Sequence, residues 1–540
     1  MGTHRISRYR TATGAALIAL CLGPAAPPAR AQEATAPATA VTVPSGPITL
    51  EQALTLAEAQ SETVASAQAG IRRAEGEEIR ARATLYPQLS ASLGYDRSLA
   101  SEFDGVFDSV DFGGSGGSGG TPEGDDGLDD LPFGRANTWR ATLTFSQSVY
   151  SGGRLGAARQ LAAANRDAAG HALTAARAQL LFDVTQAYYD AALSARLVSI
   201  AEATVQQAGA TLQQTQAGFD AGTQPEFEVL RARVNRDNQT PLVIRARVNR
   251  DVALLRLKQL LELPADADLQ LAESFADDSL APPPVFAPQV ARIENQMLTV
   301  DWAAFTRVAA ADLPQRNAVT EAATGVALRE AALKLAEAEK NPSVSLNSAY
   351  SRIGYPNNVF TPTFDRSNWT VGATLSVPIL TGGRQRGDEV VARAELDQAR
   401  LQRRQVEELA ALDTRSAWAE LVAAKAAWEA TSGTVQQANR AYEIANVRFG
   451  AGVSTQLELT DSRLLLQQAE ANRAQAARDL QVARARAALL PNLPLGAGAG
   501  GGGAAPRTPQ ALPVPTAPSQ NSGQFRNAGN QAGQSRTGTR

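Results

Sequence analysis

The chain repeats itself at an offset of 230 residues, which confines it to folds built from two equivalent units. Ser151-Gly152-Gly153-Arg154 returns as Thr381-Gly382-Gly383-Arg384, Thr204-Val205-Gln206-Gln207-Ala208 returns unchanged at 434–438, and Phe219-Asp220-Ala221-Gly222 returns as Phe449-Gly450-Ala451-Gly452. Gly153 to Gly222 and Gly383 to Gly452 are both 69 residues apart. A loop would tolerate insertions, so equal spacing argues for two continuous, geometrically constrained segments. Both lack proline and are rich in Ala, Gln, Glu, Arg and Leu, as a long helix requires. At 1.5 Å per residue each helix is about 100 Å long. Such a helix cannot fold back on one small domain and must run beside others in a coiled-coil-like bundle.

Beyond the second glycine of each pair the chain resumes helical character, from about Glu226 to Leu263 and from about Gln456 to Leu490. These are helical hairpins with Gly222 and Gly452 ending the outgoing helix at the tips. Arg231 to Asp237 (RARVNRD) recurs at Arg245 to Asp251, two heptads on, and reads as a duplication that keeps a solvated helix face in register. Pro241 between the copies is expected to kink this helix. A shorter helix precedes each long one: Leu50 to Leu85, opened by a capping box of Thr49 with Gln52 and broken near Ser61, and roughly Gln315 to Lys340. The expected organisation is thus a first repeat over 32–263, an inter-repeat segment over 264–314, a second repeat over 315–490 and a disordered Gly/Pro/Ala-rich tail over 491–540.

Between the short and long helix of each repeat lies a strand hairpin with apolar residues at nearly every second position, at about 88–98 and 138–149, then about 343–352 and 369–380. Leu89, Ala91, Leu93 and Tyr95 alternate with polar neighbours. So do Trp139, Ala141, Leu143, Phe145 and Val149, and in the second repeat Val344, Leu346 and Tyr350, then Trp369, Val371, Ala373, Leu375, Val377 and Ile379. Gln147 and Ser348 are exceptions. The length suits a tilted membrane strand. The apolar face ends in aromatics (Tyr95, Trp139, Tyr350, Trp369), as an interfacial girdle would, and the other face is small and hydroxylated like a wet lumen. Four strands cannot close a barrel, since barrels begin at about eight, so two or more subunits must combine. The loop from Leu99 to Asn137, with nine carboxylates between Glu102 and Asp130, has no regular calcium-ligand spacing and reads as a solvated extracellular loop.

The address is consistent with that membrane role. His4, Arg5, Arg8 and Arg10, the apolar run Ala15 to Leu22 and Ala29-Arg30-Ala31 form a secretory signal peptide over 1–31. Leu20 before Cys21 argues against lipid anchoring. Cleavage takes the formal charge from −3 to −7 and leaves no cysteine. No apolar stretch of 18 or more residues remains, so any membrane entry is by strands closed into a barrel. Of the two histidines, His4 lies in the signal and His171 on the long helix, where it reads as a surface residue. Nucleophilic and zinc chemistry both lack their parts, and neither an enzyme nor any cofactor, metal or nucleic-acid partner is expected. A periplasmic adaptor would show one helical hairpin rather than a duplicated unit with strands.

Over roughly Ile48 to Leu490 these features resemble the TolC family of outer-membrane efflux proteins. The specific marks are the duplicated helix, strand, strand, long-helix order, Tyr86-Pro87-Gln88-Leu89 and Asn341-Pro342-Ser343-Val344 at strand starts, Ser/Thr-Gly-Gly-Arg after each second strand, and Arg448-Phe449-Gly450-Ala451-Gly452 at a tip. The resemblance implies a mainly α fold with membrane β: a homotrimeric twelve-stranded β-barrel in outer-membrane lipid above a periplasmic α-helical barrel. It implies a channel subunit of a tripartite efflux or type I secretion system, with a periplasmic membrane-fusion adaptor at the tips (Gly222, Thr223, Gly452, Val453) and an inner-membrane RND or ABC transporter beyond it. Glu228, Glu458 and Asp461 match acidic positions that ring the entrance in the family. Ser454 departs from the family pattern, which has an arginine clamp there.

Overall fold

The computed structural model describes residues 46–99, 137–273, 275, 280–299, 315–356, 364 and 366–497. The signal peptide, the acidic loop between its two end residues and the chain from 498 onward lie outside them. The elements in order are α1 (Leu50–Gln60), α2 (Glu62–Ala83), β1 (Gln88–Arg97), β2 (Asn137–Tyr150), α3 (Arg154–Asp220), α4 (Glu226–Leu260), α5 (Ala287–Thr299), α6 (Asn317–Ala338), β3 (Ser343–Gly354), β4 (Arg366–Ser376), α7 (Arg384–Gly450) and α8 (Gln456–Leu489).

Local chemistry sets the boundaries. The Thr49 hydroxyl accepts from the Gln52 N–H while the Gln52 side chain accepts from the Thr49 N–H, and this capping box opens α1. Ser61 ends α1 and its hydroxyl caps α2 by accepting from the Val64 N–H. Each long helix is 67 residues and begins directly after a Gly-Gly pair. Those glycines take positive φ: 64° and 96° at Gly152 and Gly153, 59° and 87° at Gly382 and Gly383. A side chain pays for that conformation, glycine does not, and the pair turns the chain from strand into helix. Pro241 sits inside α4, which runs continuously through it.

The four strands form one antiparallel sheet in the order β1-β2-β3-β4. Its register places Leu89, Ala91, Leu93 and Tyr95 opposite Phe145, Leu143, Ala141 and Trp139. Across the next pair Leu143 faces Tyr350. Val344, Leu346, Ser348 and Tyr350 then face Leu375, Ala373, Val371 and Trp369. Residues directly opposite share a face, so the apolar positions of both repeats line one side of a single sheet.

Four expectations are corrected. The fourth strand ends at Ser376, so Val377 and Ile379 fall outside it; Pro378 lacks the N–H that a ladder needs. Val149 lies in a register shift between Ser148 and Tyr150, which brings Tyr150 opposite Val344. The tail does not begin at 491. Leu493 is buried against Ala178 and Phe182, and the Pro491 carbonyl accepts from the Asn317 N–H at 2.7 Å. His171 is a part-buried contact rather than a bare surface residue: its Nδ1 lies 2.8 Å from Asn317 Oδ1 and its carbonyl accepts from Asn317 Nδ2, joining α3 to α6.

The helices align in two tiers under the sheet. Next to it the packed order is α2, α3, α6, α7, and toward the tips it is α4, α3, α8, α7. Between the tiers lies the main core, where α1, the middle of α3 and the ends of α4 and α8 enclose Tyr188, Tyr189, Val184, Leu257 and Leu261. There Ile48 bridges to Leu271, and the Tyr188 hydroxyl donates to the Ile48 carbonyl.

Candidate functional site

The hairpin tips are built by the backbone of their own helices. At the first, the Gly222 N–H donates to the Phe219 carbonyl and the Thr223 N–H to the Gly218 carbonyl, both at 2.8 Å. At the second, the Gly452 N–H donates to Phe449 and the Val453 N–H to Arg448, at 3.0 and 2.9 Å. This paired closure is the Schellman motif, and it requires the left-handed residue that Gly222 (φ 74°) and Gly452 (φ 72°) supply. Among the described residues, nothing stands within 4 Å of where a Cβ would project from either glycine. The turns therefore present an open surface. The Thr223 hydroxyl folds back onto the Gly218 carbonyl, while Val453 is 69% exposed.

The return helices begin just above. Pro225 precedes α4, where a missing N–H costs no helical bond, and the Thr455 hydroxyl caps α8 by accepting from the Glu458 N–H. Glu228 and Glu458 thus sit in first turns, where the helix dipole favours carboxylates. Glu458 also meets the guanidinium of Arg448 at 3.2 Å, across the turn of its own hairpin. Asp461 stands exposed on α8.

Gln456, which sequence reasoning passed over, joins the two hairpins. It is 3% exposed, and with its amide nitrogen toward α4 it donates to Glu228 Oε2 at 2.8 Å and to the Glu228 carbonyl at 3.2 Å, while its oxygen accepts from the Ala232 N–H. Two turns up, Asn235 Nδ2 donates to Thr460 Oγ1. Gln456 opens a helix at an unremarkable position, and only the approach of α4 to α8 gives it this role. The Ser454 hydroxyl is shielded in the turn, without a hydrogen-bond partner among the described residues. The structure places Glu228 with Gln456 and Glu458 with Arg448, and among the described residues no three carboxylates are gathered closely enough to hold a metal ion.

A family model described as outer membrane efflux protein matches residues 53–262 and 311–491. The chain belongs to this family. Both stretches coincide with the repeats, each holding a strand hairpin and a long helical hairpin. The pyoverdine export outer membrane protein OpmQ of Pseudomonas putida is 24% identical over 464 residues, covering 83% of this chain and 86% of that protein. Among solved structures, the CmeC outer membrane channel of Campylobacter jejuni aligns with a TM-score of 0.64 at 15% identity, covering 82% of this chain and 86% of its own. VceC, an outer membrane protein of Vibrio cholerae, aligns at 0.62 and 19% identity, covering 81% and 95%. The protein is an outer-membrane efflux channel subunit of TolC-like fold, and its family is one of transport channels.

Proposed function

We propose that three copies of this chain close into one conduit, that a periplasmic membrane-fusion adaptor docks at Gly222, Thr223, Gly452 and Val453, and that an inner-membrane RND or ABC transporter loads the channel through it. The export role in the name of OpmQ supports a small-molecule cargo. One observation carries the assembly. Between the repeats of a single chain, a Cβ at Gly152 would lie 2.4 Å from the Asn341 side chain and 3.0 Å from the Pro342 carbonyl, whereas at Gly382, its counterpart, a Cβ would meet nothing within 4 Å. Tyr86-Pro87 occupies in the first repeat the place that Asn341-Pro342 occupies in the second.

The second repeat thus carries on its outer flank the surface that the first uses to hold the second. The sheet and both helix tiers end in the same way: among the described residues β1 and β4, α2 and α7, and α4 and α7 are the two outer margins of each layer. One rotation that seats Tyr86-Pro87 of a neighbour on Gly382 joins all three margins at once, a head-to-tail contact that closes a ring. It also removes the unpaired sheet edges, which a strand in lipid cannot leave open. With three subunits the barrel has twelve strands. Glu228, Glu458 and Asp461, repeated three times, form an acidic entrance.

Cysteines at Tyr86 and Thr381 test the closure. The variant Tyr86→Cys/Thr381→Cys is expected to form only inter-subunit disulfides and a ladder ending at three times the mass of the mature chain. Intrachain bonds, or a different closed number, would overturn the ring.

A further inference from the structure

Toward the side remote from the helices, each strand hairpin carries a Tyr-x-Arg on its first strand and a Trp on its second. Tyr95-Asp96-Arg97 stands on β1 with Trp139 on β2, and Tyr350-Ser351-Arg352 on β3 with Trp369 on β4. The register sets Tyr95 directly opposite Trp139 and Tyr350 directly opposite Trp369. One same-face step farther out, Arg97 pairs with Asn137 and Arg352 with Ser367. Since side chains alternate, both arginines share the face of Leu89, Leu93, Leu143 and Leu375.

The aromatic pairs are fixed within the sheet. The Tyr95 and Trp139 rings lie 5.2 Å apart, the Tyr95 hydroxyl donates to Asn137 Oδ1 at 2.8 Å, and Trp369 Nε1 donates to Ser348 Oγ at 3.0 Å. Among the described residues, Trp139 Nε1 is shielded without a hydrogen-bond partner, and the arginines also lack partners. Arg352 Nε is shielded and has no hydrogen-bond partner, and among the described residues neither Arg352 nor Arg97 forms an ion pair. A cation on an apolar barrel face is tolerated at the membrane surface, where its cost largely disappears, and gains from an anion there. A guanidinium fits phosphate with two parallel hydrogen bonds.

We propose that each hairpin holds a phosphorylated lipid of the external leaflet, with Arg97 or Arg352 on the headgroup phosphate and the Tyr–Trp pair beneath against the acyl chains. The inference rests on the reading that this face meets lipid. It assigns six phosphate sites to a trimer, two per subunit, and the twofold occurrence of Tyr-x-Arg opposite Trp within one chain is its independent support.

The test uses the full chain purified in detergent, with bisphosphorylated lipid A or its dephosphorylated form added, and native mass spectrometry to count retained lipid. The wild type is expected to retain the phosphorylated form selectively and to lose it as salt rises. Arg97→Gln/Arg352→Gln should weaken retention roughly tenfold per arginine, the worth of one charge-assisted hydrogen bond, and Arg140→Gln on the opposite face should leave it unchanged. Retention that ignores salt or phosphorylation, or survives in the double variant, or fails equally in Arg140→Gln, overturns the proposal. A fluorophore on Leu143→Cys separates the two readings: quenching by brominated lipid upholds the facing, so lost selectivity then sinks only the phosphate site, whereas no quenching sinks both.

Discussion

Asp413 carries more of this structure than its place on a long helix suggests. Its two oxygens receive Arg316 at 2.8 Å and Arg486 at 2.9 Å, and both arginine side chains are only 4% exposed. Arg316 also donates to the Ala410 carbonyl and Thr414 hydroxyl, and Arg486 pairs with Glu420. This network pins the start of α6 and the end of α8 to the middle of α7. Asp413→Ala leaves two buried guanidinium groups short of a counter-charge and is expected to cost about 3–5 kcal/mol, read as a lower unfolding midpoint of the purified channel. Glu321 shows the opposite economy. Burial raises its carboxyl pKa, partly offset by His171, so the folded protein holds that proton more tightly than the unfolded chain. Stability from this group therefore falls as pH rises from the ordinary glutamate value through the raised one. Glu321→Gln is expected to raise the thermal midpoint at pH 8 and to lose that advantage at a pH below the ordinary glutamate value. A gain of equal size at both pH values would show that titration is not its source.

At the scale of elements, the sheet has a face that can be tested by single substitutions. Leu143 lies between Ala91 and Tyr350, and Leu375 opposite Val344; Thr142 lies between Ser92 and Ser351, and Thr374 opposite Ser345. Leu143→Arg and Leu375→Arg are expected to impair assembly in outer membranes far more than Thr142→Arg and Thr374→Arg. A midplane charge costs about 2–4 kcal/mol against lipid, and a lumenal one meets water. Equal yields of all four, measured as heat-modifiable oligomer, would refute the assigned facing. The long helices draw their order from neighbours rather than from a strong apolar stripe. Between α6 and α7 the seam is ionic, with Arg329 to Glu395 at 2.6 Å, Arg400 to Glu330 at 3.4 Å, and Lys340 with Glu389. On α4 the duplicated RARVNRD keeps Val234 and Val248 exposed at the same heptad position, in line with an apolar seam for a neighbour rather than a wholly solvated face.

For the whole molecule, the proposed ring turns three modest carboxylates into nine around one mouth. Like charges in a constriction interact more strongly than on an open surface and concentrate cations. Within a chain Glu458 is balanced by Arg448 and Glu228 is held by Gln456, so Asp461 supplies the least compensated charge. Glu458→Ala/Asp461→Ala is expected to weaken cation preference and divalent-cation block in planar bilayers without altering oligomer yield. Parental conductance, ion preference and block in that variant would mean that these carboxylates only solvate a helix.

The elements and their duplication were legible in the chain of residues alone, because those depend on local chemistry. Proline-free runs make α3 and α7, Gly-Gly pairs with positive φ start them, Gly222 and Gly452 end the turns, and alternation writes the strands. Distances across the fold were a different matter. Nothing local marks Gln456 as the link between hairpins, His171 as a partner of Asn317, Leu493 as a buried anchor, or Asp413 as the counter-charge of residues 97 and 73 positions away. Each depends on which helices the tiers bring side by side. The tertiary structure alone also decided that Gly152 is covered and Gly382 is not, a difference invisible in two identical Gly-Gly-Arg motifs. The physical reason is that local conformation is fixed by neighbours in the chain, whereas packing is fixed by neighbours in space, and here Gly382 on the second repeat's outer flank finds none among the described residues.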